Sequence, residues 1–163
     1  MTEFMRAECG IRQLHARYID AVWRQDPEAL AGCFAESGEW KIAGMHLRGR
    51  REIREAVARL LEPCERVLMT VGIPLIELRE RSSIGRVHCL EFAKLKSGNS
   101  AVNIGIYFDR YVEHAGTWGF QWRHWALQYR GPADLSAAFM PSPDYGPFPS
   151  MPGPDEPTVA RRG

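Results

Sequence analysis

Four side chains of this sequence are of types that could move a proton or polarise an oxygen: His15 and Tyr18 in "QLHARYIDAVW", His88 in "GRVHCLEF" and Asp109 in "GIYFDRY". A histidine exchanges protons near neutral pH. A phenol donates a hydrogen bond to an oxygen on which negative charge develops. A carboxylate in an apolar wall becomes a usable base once burial lifts its pKa. Each residue also has a purely structural reading. Tyr18 could be a core phenol bonded to a carbonyl, and His15 a satisfied core histidine. Asp20 falls on the side of its helix away from the apolar stripe and reads as a solvated carboxylate, and Asp26 reads as a helix N-cap. His46 and His114 fall in turns.

These residues need elements to position them. At about 100° per residue, Leu14, His15, Tyr18 and Val22 all fall within roughly 60° of Ile11, so one helix presents them as a single buried stripe. "DPEAL" restarts a second helix, capped by Asp26 with Pro27 at its first position, and that helix ends near Phe34. "GEWKIAG" reads as a short strand and "GRREIREAVARLLEP" as a helix stopped by Pro63. Beyond Pro63 the pattern changes to period two. Four strands are expected, at roughly 66–79, 84–95, 101–113 and 118–130. "KSGNS" and "EHAGT" join the last three as hairpins. Pro74 cannot donate to a ladder and marks an edge or a bulge. Helices followed by a run of antiparallel strands make an α+β domain with helices covering one face of a curved sheet.

Strict alternation gives each strand two faces. His88 shares one with Leu90 and Phe92, and a buried face is expected there. Asp109 shares one with Tyr107 and Tyr111, opposite Ile104, Ile106 and Phe108. If the apolar face packs under the helices, Asp109 looks outward or into a dimer; if the polar-aromatic face does, Asp109 is a candidate base. On the last strand, alternation groups Trp118, Phe120, Trp122 and His124 against Arg123, Trp125, Leu127 and Tyr129. An arginine between tryptophans reads as a stacked cation on a dimer surface or as an anchor for an anionic substrate.

Composition narrows the function. The chain has 163 residues, 45% hydrophobic and 25% charged, with a formal net charge of +1. That fits one domain with a full core and argues against nucleic-acid binding. Cys9, Cys33, Cys64 and Cys89 form no CxxC pair, so free thiols in a reducing cytoplasm are expected. No apolar run reaches about 18 residues, so no membrane span is expected, and "MTEFMRAECG" does not read as a signal peptide. GxSxG, P-loop, dinucleotide-glycine and HExxH motifs are all missing, which removes whole classes of enzyme but leaves cofactor-free acid–base chemistry open. Eight of the eleven prolines lie from Pro132 onward. The domain is therefore taken as residues 1–135, and 136–163 as a proline-rich extension that lies along the domain or reaches a partner, with its last ten or so residues loose.

The helix-one stripe, "Y18…D26…L30…F34", "EW" at Glu39–Trp40, "RGRREI" and the late "GIYFDRYVEHAGTWGFQWRHW…YRGP" resemble the SnoaL-like group of the nuclear-transport-factor-2-like superfamily over roughly residues 8–135. The resemblance implies a cone-shaped sheet closed by helices around an apolar pocket, often in a homodimer packed through the sheets, without cofactor or metal. Against ketosteroid isomerase, Tyr18 falls on the oxyanion-stabilising tyrosine, and the base position is Ile42. Against hexachlorocyclohexane dehydrochlorinase, the dyad positions are Trp23 and Met69. The same geometry would put Trp23, Trp40, Met69 and Val22 on the pocket wall. The expectation is a cofactor-free lyase or isomerase, of dehydratase, cyclase or ketosteroid-isomerase type, acting on a small hydrophobic cyclic molecule. Tyr18 would polarise the oxygen, and His15, His88 or Asp109 would be the base. The alternative is a non-catalytic small-molecule binder or dimeric accessory protein of the same fold.

Overall fold

A computed structural model of the chain describes residues 1–79, 82–141 and 143–158. Helix α1 spans Glu3–Trp23 and opens on Thr2, whose hydroxyl accepts from the Met5 amide. The expected stripe is buried: Ile11, Leu14, His15, Tyr18 and Val22, joined by Ala7 and Ala21. The chain breaks at Gln25, with φ +51°, and Asp26 then caps α2, Pro27–Gly32, by accepting from the Ala29 amide. Helix α2 stops before Phe34 because that residue already belongs to strand β1, Phe34–Ile42. Ala43 and Gly44, both at positive φ, turn β1 back into β2, Met45–Arg48, a hairpin not expected from the sequence. Helix α3, Gly49–Leu61, follows directly, with Glu52 accepting from the Arg48 amide.

Five more strands follow: β3 (Cys64–Val71), β4 (Leu75–Glu77), β5 (Ser83–Leu95), β6 (Ser100–His114) and β7 (Thr117–Gly131). The first of the four expected strands is thus two, parted at Gly72–Pro74 where proline removes a donor, and both pieces pair with β5. The sheet runs β2-β1-β7-β6-β5-β3, with β1 parallel to β7 and every other pair antiparallel. It is curled and open, and the helices pack into its concave side in an α+β architecture. There α1 lies along β3 and the start of β7. The main core fills this concavity.

A bulge corrects the expected faces of β7. Register passes from Arg110↔Trp122 to Tyr111↔Phe120, which leaves Gln121 as an extra residue. Phe120 therefore packs under the helices with Tyr18 and Phe34, whereas Trp122 faces the other way onto Phe108 and Ala126. Arg123 and Trp125 lie on the helix side, and Arg123 is wholly buried there instead of on a surface.

The extension packs along the outer face of the sheet over its described length. Tyr145 and Met151 cover Phe108, Trp122 and Ala126 on the outer face of the sheet. The carbonyl of Pro154 accepts from Lys41 Nζ at 2.7 Å, and Thr158 Oγ1 accepts from the Gly44 amide at 2.6 Å. Residues 159–163, the end of the segment expected to be loose, lie outside the described residues.

Candidate functional site

The helical period that buries Tyr18 also buries His15, one turn earlier, and both point onto the inward faces of β6 and β7. His15 Nε2 lies 3.0 Å from the Tyr111 hydroxyl, and its Nδ1 lies 3.3 Å from Arg123 Nη2. Tyr111 donates to Asp109 Oδ2 at 3.1 Å. Arg123 grips Asp109 with Nε to Oδ1 at 2.7 Å and Nη2 to Oδ2 at 2.9 Å. An arginine N–H can only donate, so Nδ1 of His15 is an acceptor. The neutral ring then carries its hydrogen on Nε2 and gives it to Tyr111, which passes its own hydrogen to Asp109. Every hydrogen in this chain has one consistent place.

The electrostatics agree with that assignment. Burial, then the Arg123 charge, holds His15 well below the usual histidine pKa, so the ring is neutral at physiological pH. Burial raises Asp109, against the pull of Arg123 and Tyr111. For Arg123 burial opposes the charge, but Asp109 overrides it by charge and hydrogen bonding, and the net shift is upward. The Asp109–Arg123 pair is therefore an ion pair inside the domain, with both side chains fully buried.

Deeper along the same face the guanidinium is stacked against aromatic rings, 3.7 Å from the centroid of Phe120, 3.9 Å from Tyr107 and 4.4 Å from Tyr18. Tyr18 and Tyr107 share one hydroxyl–hydroxyl bond of 3.3 Å. Two hydroxyl hydrogens serve one bond, so one O–H stays uncommitted. Arg123 Nη1 and Trp40 Nε1 are buried donors without a partner among the described residues, and Trp40 sits edge-on to Tyr18. Burial raises the Tyr18 phenol above its ordinary pKa, so it remains a donor. Three donors around Tyr18 thus lack an acceptor among the described residues.

A cleft of about 280 Å³ opens between α1 and the end of β3, walled by Ile19, Val71, Ile73 and Pro74, with Arg12 at the rim and His15 at its inner end. A larger hollow of about 330 Å³ between α2 and α3 is a surface groove of paired charges, Arg50–Glu36 and Arg54–Glu28, remote from the buried network.

Of the residues singled out from the sequence, His15, Tyr18 and Asp109 come together. His88 does not: it is exposed on the outer face of β5, because the inward positions there are Val87 and Cys89. Phe92, on the same face as His88, is 45% exposed. Trp23 ends α1 more than half exposed and donates to the Met69 carbonyl at 2.8 Å, so its ring is not an interior wall. Trp40, Met69 and Val22 are buried in the core but do not line the cleft. Sequence reasoning missed Tyr107, Tyr111 and Arg123 as partners of the network, and it missed Glu91. This carboxylate shares the inward face of β5 with Cys89, and its Oε1 accepts from Asn103 Nδ2 at 2.7 Å. The alternation in "VHCLEF" contained it, on the face opposite His88. Among the described residues no group of three His, Cys, Asp or Glu side chains could hold a metal ion, and none of the helices is long and apolar enough to cross a membrane.

Comparison with known proteins places this geometry in a family. No curated protein matches the chain. Among solved structures it is similar to a protein of unknown function from Mycobacterium tuberculosis, at 28% identity and TM-score 0.68, over 83% of this chain and 77% of that one. It also resembles a putative scytalone dehydratase from Novosphingobium aromaticivorans, at 19% identity and TM-score 0.70, over 75% and 84% of the two chains. A third likeness is to hexachlorocyclohexane dehydrochlorinase LinA-type3 from Novosphingobium barchaimii, at 18% identity and TM-score 0.71, over 84% and 96%. The last two share the fold. The family model of the SnoaL-like domain matches residues 4–124, which takes in all three helices and the strands as far as His124, and the chain belongs to that family, with a nuclear-transport-factor-2-like fold.

Proposed function

We propose that the protein is a cofactor-free lyase or isomerase that moves a proton on a small hydrophobic, cyclic carbonyl or hydroxyl compound. The observation that carries this reading is the set of unmatched donors around Tyr18: Arg123 Nη1, Trp40 Nε1 and one hydroxyl of the Tyr18–Tyr107 pair have no acceptor among the described residues. Donors fixed in an apolar interior stabilise an oxyanion more than they stabilise a neutral carbonyl, which is the requirement for lowering an enolisation barrier. The Asp109–Arg123 pair keeps the guanidinium charged and oriented, and His15 and Tyr111 hold that pair in place. The α1–β3 cleft is the entrance, with aliphatic walls and a volume suited to one or two rings. Dehydratase and dehydrochlorinase relatives of the same fold are in keeping with proton transfer. The proposal includes a homodimer through the outer sheet face, around the part near Leu90 and Phe92, away from Tyr145 and Met151.

The test pairs binding with turnover. 4-Nitrophenol, whose phenolate mimics an enolate and absorbs visible light, should bind as the phenolate with its pKa lowered. Tyr18→Phe should weaken that binding and cut exchange of the α-hydrogens of ring ketones by about 10- to 1000-fold, while the melting temperature stays nearly unchanged. A variant that binds phenolate as well as wild type removes Tyr18 from the chemistry. The second reading, a non-catalytic binder, draws on both His15 nitrogens and Asp109 being engaged within the network in the resting structure. It predicts phenolate binding without exchange on any ketone.

A further inference from the structure

The expected bases are already engaged or face the wrong way. His15 has both ring nitrogens engaged, Asp109 is held by Arg123 and Tyr111, and His88 is on the other face of the sheet. An enolising site needs an acceptor beside its donors. Glu91 is half-buried on the inward face of β5, paired across to Met69 of β3 and Asn103 of β6. One same-face step along β5 lies Cys89, whose partner on β3 is Val71, a wall of the cleft. Same-face residues are about 7 Å apart, so Glu91 lies one step further along the inward face than the cleft wall at Val71, level with the buried Met69. Asn103 Nδ2 holds Oε1, which fixes the carboxylate plane and leaves Oε2 without a hydrogen-bond partner among the described residues. Its charge acts on the phenols of Tyr18 and Tyr107.

We propose that Glu91 is the base of this site, and that its guest is a ring ketone with its carbonyl oxygen toward Tyr18 and Arg123 and its acidic C–H toward Glu91. The proposal rests on the proton-transfer reading above. In the step, the C–H bond breaks and its hydrogen joins Glu91 Oε2. The electron pair becomes the new C=C bond, and the carbonyl π pair becomes the oxyanion held by the donors. Collapse then follows the guest's structure: where the ring carries a β,γ double bond, the dienolate takes the proton back from Glu91 at the γ-carbon, an isomerisation; where it carries a β-hydroxyl, the enolate expels it as water with the proton from Glu91, a dehydration. Burial raises Glu91 above the ordinary carboxylate range, with Asn103 and the charge of Arg130 working against it, so the group is a stronger base than an exposed glutamate.

Wild type, Glu91→Gln and Glu91→Asp are compared in heavy water with 2-tetralone and cyclohexanone, by loss of the α-proton NMR signal, and with 4-nitrophenol by absorbance. Glu91→Gln should lose exchange by about 100-fold or more, while Glu91→Asp keeps a measurable part of it. The same Gln variant should bind 4-nitrophenolate several-fold more tightly, because a negative charge facing the phenolate is gone; a merely structural role for Glu91 would not produce that gain. Exchange in Glu91→Gln within threefold of wild type overturns the assignment of the base and leaves the proton-transfer reading standing. Phenolate binding by a wild type that catalyses no exchange also overturns Glu91 as base, in favour of a binding protein. If wild type neither binds phenolate nor exchanges protons, the reading of the site and the role of Glu91 fall together.

Discussion

Arg123 is a charged side chain with no exposed surface, and the inside of the domain is arranged around it. Taking a guanidinium out of water is costly unless a carboxylate meets it in good geometry. Asp109 does so in bidentate form, three aromatic rings face the cation, and His15 and Tyr111 complete the network. Asp109→Asn would keep the shape and remove the counter-charge, leaving the cation buried and uncompensated. A loss of about 3–5 kcal/mol in urea denaturation is expected. The double variant Asp109→Leu/Arg123→Met removes both charges and should recover most of that loss, since a well-packed apolar pair is often no worse than a buried ion pair. If the double variant is as unstable as Asp109→Asn, the neighbours His15 and Tyr111, and not the naked cation, carry the cost. The double variant should also bind no 4-nitrophenolate, because the main donor is gone.

Among the elements, α1 and β7 show why some of this was legible in the sequence and some was not. The stripe of α1 follows an unbroken 3.6-residue period, and each residue expected on it is buried. The sides of β7 depend on two extra residues, Gln121 between Phe120 and Trp122 and Gln128 between Leu127 and Tyr129. Alternation places Phe120 with Trp122, yet Gln121 is a bulge and the two rings lie on opposite faces. Nothing in the local composition marks a glutamine as bulged; only pairing with β6 decides it. Strand β5 hid Glu91 for a related reason, since "VHCLEF" offers two faces of similar apolarity and the helices choose between them. Deleting Gln121 would force the residues before it through a one-residue slip and turn either Phe120 or Arg123 to the wrong side. A loss of more than about 3 kcal/mol, or failure to fold, is expected. A single glycine inserted beside the exposed Gly98, in the β5–β6 turn, should cost less than about 1 kcal/mol. Comparable losses for the two variants would mean that the bulge does not set the faces.

At the scale of the molecule, the proline-rich extension acts as a strap across the outer face of the sheet. Phe139 packs on Tyr129 and Tyr145 on Phe108, Gly146 accepts from Arg86, and Pro154 and Thr158 hold the β1–β2 hairpin. Beneath it His124 is 1% exposed, stacked on Trp122 with its Nδ1 unpartnered among the described residues. Burial, then the charge of Lys41, pulls His124 down to about 4. With the strap lifted, the ring returns toward its ordinary value of about 6.5. The docked form then binds fewer protons than the lifted form, so docking is at full strength above pH 6.5 and weakens as the pH falls toward 4. Each unit is worth about 1.4 kcal/mol, and the whole interval on the order of 3 kcal/mol. His15 has the same sign but acts on global unfolding, so the readout must be local: amide exchange of residues 143–154 and the NMR titration of His124. Protection of those amides should fall between pH 6.5 and 4.5 before α1 loses any, and truncation after Met140 should raise the His124 pKa by one to two units. A His124 that titrates near 6.5 in the intact chain would mean that the strap does not seal the ring, and the link between pH and docking would be lost with it.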